Sequence, residues 1–340
     1  MQAKRYGRQS YALPSKPRVC SFASTAGKKE GEGPLQNSFD VVVQDDTLGE
    51  KSWEKAETRM LSDTVSLCLR KAGLREEDVD LFLGGDLLNQ IVSAGFAARG
   101  LQIPFLGLYG ACSTMAESLL LGSLLLDGGF AKRVVCATSS HFSTAERQYR
   151  FPLELGNQRP PSAQWTVTGA GATLLTCEPT HPIAVEAVTV GKVIDLKQND
   201  ENNMGAAMAP AAADTLLAHL RETGRRLEQY DRIVTGDLGR VGYRLFRELC
   251  KQEGLELGDR YTDCGCDIFA PEQGLQAGGS GCGCSAVTLN GHLFQQMLAG
   301  NIRRLLFMAT GALLSPTTTM QGESIPSIAH AVSLEVVPCC

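Results

Sequence analysis

Gly110-Ala111-Cys112-Ser113-Thr114-Met115-Ala116-Glu117-Ser118 places a cysteine between an apolar strand-like stretch and a helix that runs on through the apolar Leu119–Leu126. Unpaired backbone N–H groups and the positive end of the helix dipole favour an anion at such a position. A cysteine there can act as a nucleophile or form part of an anion-binding site. The rest of the chain has to decide between these two uses.

Working outward, the chain reads as one pattern written twice. Val79–Leu83 is an apolar strand leading through Gly84-Gly85-Asp86-Leu87 into a helix, and Tyr230–Thr235 leads through Gly236-Asp237-Leu238-Gly239 into another. The Cys112 helix ends near Asp127-Gly128-Gly129 and is followed by the strand Ala131–Thr138. Its counterpart opens at Gly281-Cys282-Gly283-Cys284, ends near Ala299-Gly300 and is followed by Asn301–Thr310. Val167–Pro179 and Pro326–Pro338 supply a closing strand pair to each copy. The offset of roughly 150 to 170 residues is far above solenoid periods and indicates a duplicated unit, with halves at 1–179 and 180–340.

Strands rich in Val, Ile and Leu alternate with helices such as Ser52–Lys71, where Trp53, Ala56, Met60, Val65 and Cys68 fall near one face. The two repeated helices are apolar nearly all round and are therefore expected to be buried on all sides. Two buried helices between two sheets, with further helices outside, make a five-layered α/β/α/β/α arrangement. Met204–Ala211 opens the first long helix of the second half, with Pro210 expected in its first turn.

Composition narrows the function classes. With 340 residues, 43% apolar content and 36 glycines, the chain can bury a large core. A net charge of -5 supplies no electrostatic reason to expect a nucleic-acid partner. No apolar region follows Lys4, Arg5 and Arg8 to make a signal peptide, and no apolar run reaches the about 18 residues that cross a bilayer. Membrane association is therefore expected to be peripheral or through a partner. The twelve cysteines then read as reduced thiols in an intracellular compartment.

The duplicated half, the Gly-Ala-Cys-Ser helix start, the Thr168-Gly169-Ala170-Gly171-Ala172 turn and the Met204–Ala211 segment together resemble the thiolase and ketoacyl synthase superfamily. Within it the chain is similar to a dipicolinic-acid-binding sporulation family of endospore-forming bacteria. The matching stretches include Gly85–Gln90, Gly110–Thr114, Ala137–His141, Thr144–Gln148, Met208–Thr215, Gly278–Val287 and Ala309–Pro316, and the likeness extends from about residue 18 to 337. The resemblance implies a thiolase-like fold. It also implies binding of dipicolinic acid, alone or as its calcium chelate, for uptake into the developing spore through a channel of other sporulation membrane proteins. The expected location is intracellular, peripheral to the spore inner membrane.

Condensing and thiolytic members of the superfamily need second-half histidines, or an asparagine or cysteine, to activate the thiolate and hold the oxyanion. The first such loop here reads Gly236-Asp237-Leu238-Gly239, with a carboxylate that repels a thiolate, and Gly278–Cys284 has neither Asn nor His. The expectation is thus a non-catalytic ligand pocket without cofactor or metal. The rival is an acyltransferase or condensing enzyme that uses Cys112 with His141 or His330 as base.

The candidate ligand-binding residues are Cys112, Ser113, Asp86, Asn89, Ser139, His141, Arg147, Asp237 and His330. The helix start and Ser113 offer donors to carboxylates, as do Ser139, His141 and Arg147. Asp86 and Asp237 oppose an anion unless they are protonated, paired with His141 or Arg147, or meet ligand-borne calcium. His181, His219 and His292 read as structural or solvated. Cys264/Cys266 and Cys282/Cys284 lack the usual zinc spacing and read as small buried hydrophobes. Lys28–Gly33 reads as an exposed loop. A homodimer is expected through Arg133–Thr138, taken as an apolar edge strand.

Overall fold

The computed structural model describes residues 4–149 and 159–338. The first half contributes strands β1 (Arg18–Ala26), β2 (Leu81–Gly85), β3 (Phe105–Gly107), β4 (Arg133–Ser140) and β5 (Gly169–Thr176). Its helices are α1 (Trp53–Lys71), α2 (Val92–Leu101), α3 (Thr114–Asp127) and α4 (Phe142–Tyr149). The second half contributes β6 (Ile183–Thr189), β7 (Arg232–Thr235), β8 (Tyr261–Asp263), β9 (Arg304–Ala312) and β10 (Ser327–Val336). Its helices are α5 (Met204–Thr223), α6 (Gly239–Gln252) and α7 (Cys282–Thr288), the last continuing through a π-helical turn at Leu289–Leu293 into Phe294–Leu298.

Both halves use one topology. The strand order is β3-β2-β4-β5-β1 in the first and β8-β7-β9-β10-β6 in the second. In each, the three strands on one side run parallel and the last two pair antiparallel. The two sets meet at β1 and β6, where Arg18 pairs with Ala184.

Side chains alternate across each strand, so β4 sends Val134 and Cys136 to one face and Val135 and Ala137 to the other. The first pair joins a central core with Leu119 of α3, Val287 of α7, Phe294, Phe307 and Leu334. The second packs under Met60, Val65 and Leu69 of α1 and Ala94 and Ala97 of α2. In β9, Leu305 and Phe307 likewise face the centre, while Leu306 and Met308 meet Met208 and Leu216 of α5 and Phe246 of α6. Three apolar clusters separated by two sheets are the five-layered arrangement that the sequence implied.

Four expectations need correction. β4 lies between β2 and β5, so Arg133–Thr138 has no free edge; the edge strand of the first half is β3. Helix α3 is not covered all round, because Glu117, Leu121, Leu124 and Leu125 are only partly buried. Pro210 lies inside α5 rather than in its first turn, because Asn203 caps the helix seven residues earlier. Glu30 is buried within a 3₁₀ turn, its Oε1 accepting the Thr168 N–H at 3.1 Å, so Lys28–Gly33 is not wholly solvated.

Candidate ligand site at the Cys112 turn

Cys112 sits on the 3₁₀ turn Ala111–Ser113 that leads into α3. Ala111 there has φ +50°, a left-handed conformation that a residue with a Cβ rarely adopts and that costs about 1 to 3 kcal/mol. The turn is held from both sides. Ser113 Oγ donates to the Gly110 carbonyl at 2.6 Å, and Thr114 Oγ1 to the Ala111 carbonyl at 2.7 Å. Across the interface β9 presents Gly311, where a Cβ would lie 2.1 Å from the Gly110 oxygen. Only glycine lets the second-half strand approach this closely.

Asp237 faces the cysteine from the second half and is fully buried. Its Oδ1 accepts from Thr310 Oγ1 at 2.8 Å, its Oδ2 accepts from the Gly281 N–H at 2.9 Å, and it receives the Cys112 thiol as a further donor. Burial pushes its carboxyl up to about 7 against the pull of these three donors. Burial first, and the Asp237 charge second, hold the Cys112 thiol well above its ordinary value, despite a hydrogen bond from the Gly281 N–H. The neutral thiol is therefore the form present near pH 7, and the helix-terminus field is outweighed.

A cavity of about 50 Å³ opens beside Cys112, and its walls include Leu87, Ala111, Glu146, Tyr149, Glu201 and Leu314, with hydroxyl-bearing Thr166 and Ser280. It adjoins a more open groove of about 380 Å³ that shares Tyr149, Glu201 and Leu314 and extends to Pro316 and the exposed Met320. No Lys, Arg or His lines the cavity among the described residues. Tyr149 is fixed by donating to the Leu87 carbonyl at 2.8 Å and by pairing with the Tyr109 hydroxyl at 3.2 Å.

Of the residues singled out from sequence, Cys112 lines this cavity and Asp237 lies directly behind it. Ser113 is buried in the turn itself. Asp86 is consumed by its own half: its two oxygens accept the Leu88 and Ala94 N–H groups at 2.7 and 2.6 Å. Ser139 donates to Glu57 Oε1 at 3.1 Å. His141 accepts the Ser143 N–H on Nδ1 at 3.1 Å and bonds the Asp46 carbonyl through Nε2 at 2.8 Å. That pattern requires the neutral ring, and burial depresses its pKa accordingly.

Asn89 is exposed, and Arg147 is paired with Glu54 and sits over the Trp53 ring, 5.6 Å from its centroid. His330 accepts the Gly191 N–H at 3.2 Å, and burial pushes its pKa down to about 4. None of these last six lines the cavity. The carboxylates facing it are Glu146 and Glu201, which sequence reasoning missed. Glu146 lies in the matching stretch Thr144–Gln148, but nothing in that stretch says which side chain points inward.

Glu57 is a second buried carboxyl that was not anticipated. It accepts from Ser139 and, at 2.8 Å, from Thr144 Oγ1, and burial raises its pKa, with the neighbouring Asp86 adding to the effect. Among the described residues no His/Cys/Asp/Glu group has the arrangement of a metal site, and the described cysteines are free thiols.

Comparison with known proteins places the fold and the family. The human mitochondrial 3-ketoacyl-CoA thiolase, solved with CoA, superposes with a TM-score of 0.58 at 13% identity, covering 96% of this chain and 99% of that one. The 3-oxoacyl-[acyl-carrier-protein] synthase III of Aquifex aeolicus VF5 gives 0.56 at 14% identity, over 94% and 99%. At such identities the likeness establishes the fold alone, which is thiolase-like. The chain is 47% identical over 332 residues to Stage V sporulation protein AD of Bacillus subtilis (strain 168), spanning 98% of both. The family described as Stage V sporulation protein AD matches residues 7–335, and the chain belongs to that sporulation protein family.

Proposed function

We propose that this protein is a non-catalytic binding protein that holds dipicolinate, as its calcium chelate, in the cavity beside Cys112 and supports its movement into the developing spore. The observation that carries the reading is Asp237 set against the Cys112 thiol and satisfied there by Gly281 and Thr310. A condensing enzyme needs a base that takes the thiol proton and donors for an oxyanion. A buried carboxyl at this place raises the thiol pKa and opposes any developing negative charge.

The lining supports the chelate over the free dianion. Glu201 repels a free carboxylate and no Lys, Arg or His lines the cavity among the described residues to offset it, while Glu146 is already paired with Arg159. Calcium already bound by the ligand is a hard ion that accepts further oxygen donors, so the Glu201 carboxylate becomes favourable. The Thr166 and Ser280 hydroxyls supply hydrogen bonds to the carboxylate rim, and Leu87, Ala111 and Leu314 meet the flat ring.

Calorimetric titration of the purified protein with dipicolinate, with and without calcium, tests this: saturable binding that tightens with calcium is expected. Incubation with acetyl-CoA or malonyl-CoA should leave Cys112 unmodified. Stoichiometric acylation of Cys112 in a mass spectrum would overturn the non-catalytic reading in favour of an acyltransferase.

A further inference from the structure

Helix α6 carries an unusual concentration of positive charge for a chain whose net charge is -5. Arg240, Arg244, Arg247 and Lys251 follow the spacing i, i+4, i+7, i+11. At 100° per residue they fall within an arc of about 60° and form a ridge about 16 Å long. The opposite side of the helix, through Gly239, Gly242, Phe246 and Cys250, is buried. Tyr243 stacks on Tyr261 with centroids 4.6 Å apart, which fixes the rotation of the helix and so the direction of the ridge.

Arg244 and Lys251 are exposed, and Arg240 and Arg247 partly so. None of the four is in an ion pair among the described residues. Arg247 is held in place by the Tyr243 hydroxyl at 3.0 Å and the Gly258 carbonyl at 3.3 Å, both neutral acceptors, with Asp259 and Glu256 close enough to offset part of its charge without forming an ion pair. The one acid on the helix, Glu248, lies on the flank of the arc, and Leu245 beside it is 40% exposed.

We infer that this ridge is a docking surface for an anionic phospholipid bilayer. Four or more cations on one helix face suit a plane of negative headgroups, because each gains from the surface potential without being desolvated. No helix among the described residues is long and apolar enough to cross a membrane. The inference rests on the proposed function only in that movement of a ligand into a spore crosses a membrane, not on the identity of the ligand, and the two fail separately.

The experiment is flotation of the full chain with vesicles of phosphatidylglycerol and phosphatidylcholine, against pure phosphatidylcholine vesicles, at low and physiological salt. Binding to the anionic vesicles alone, weakened by salt, is expected. Neutralising a ridge cation should weaken it about fivefold, so the double variant Arg244→Gln/Lys251→Gln should lose about 25-fold. Lys55→Gln, an exposed cation on α1, should leave it unchanged. Dipicolinate titration of the same preparations reports separately on the cavity and on folding. Absence of flotation, equal flotation with neutral vesicles, an equal loss in the Lys55 variant, or ridge-dependent binding to a short DNA duplex as tight as to vesicles would each overturn the assignment.

Discussion

Cys112 and Asp237 share one proton-bearing contact in a site with no lining cation among the described residues, and their substitutions should act differently. Cys112→Ala removes one polar contact while the backbone donors of the turn remain, so dipicolinate affinity should fall about two- to tenfold. Cys112→Leu would force extra methylenes into a turn packed against Gly311, a cost of about 1 to 3 kcal/mol, and should abolish binding with the fold intact by circular dichroism. Asp237→Ala instead orphans the Gly281 N–H and the Thr310 hydroxyl, both buried. It should lower stability by about 1 to 3 kcal/mol for each donor left without a partner, measured by urea unfolding.

At the scale of elements, several short turns are held by buried carboxyls, and this ties stability to pH. Burial pushes Glu30 up to about 8 from an ordinary value near 4.5, against the pull of the Thr168 N–H that it accepts. A folded state that holds a proton more tightly than the unfolded chain has its full share of stability below about 4.5 and loses it as pH rises through about 8. Glu30→Gln keeps an oxygen for Thr168 and cannot ionise. Urea midpoints at pH 5 and pH 8 should therefore converge in the variant relative to the parent. They should not become equal, because Asp237, pushed up to about 7, contributes in the same direction. An unchanged slope would show that Glu30 is not buried as described.

For the whole molecule, the unpaired edge of the first-half sheet is the place where a second copy would add. β3 pairs only with β2, and Leu106 within it, Tyr109 just after it and Phe96 of the neighbouring α2 are exposed. An apolar edge strand left open is prone to pairing with another chain. Sedimentation should show a dimer, and Leu106→Arg should shift it toward monomer without changing dipicolinate binding per chain. A dimer of undiminished affinity in that variant would place the contact elsewhere.

How much of this was legible in the chain depends on the range of the interaction that decides it. Alternation along Val134–Ala137, the apolar run Leu119–Leu126 and the recurrence of Gly84–Leu87 as Gly236–Gly239 are local patterns, so the layered, duplicated architecture and the Cys112 turn followed from sequence. The missing second-half histidine was also visible, because the position of Asp237 is defined by its own strand and helix. The direction of a side chain on a loop or short helix is set by contacts distant in the chain, 95 residues away for His141. His141 and Arg147 read as ligand donors, yet they are taken by the Asp46 carbonyl and Glu54, while Glu146 and Glu201 meet at the cavity from opposite halves. Sequence periodicity gives the face of an element, but only the assembled sheets decide which faces enclose a space and which hydrogen bonds are already spent.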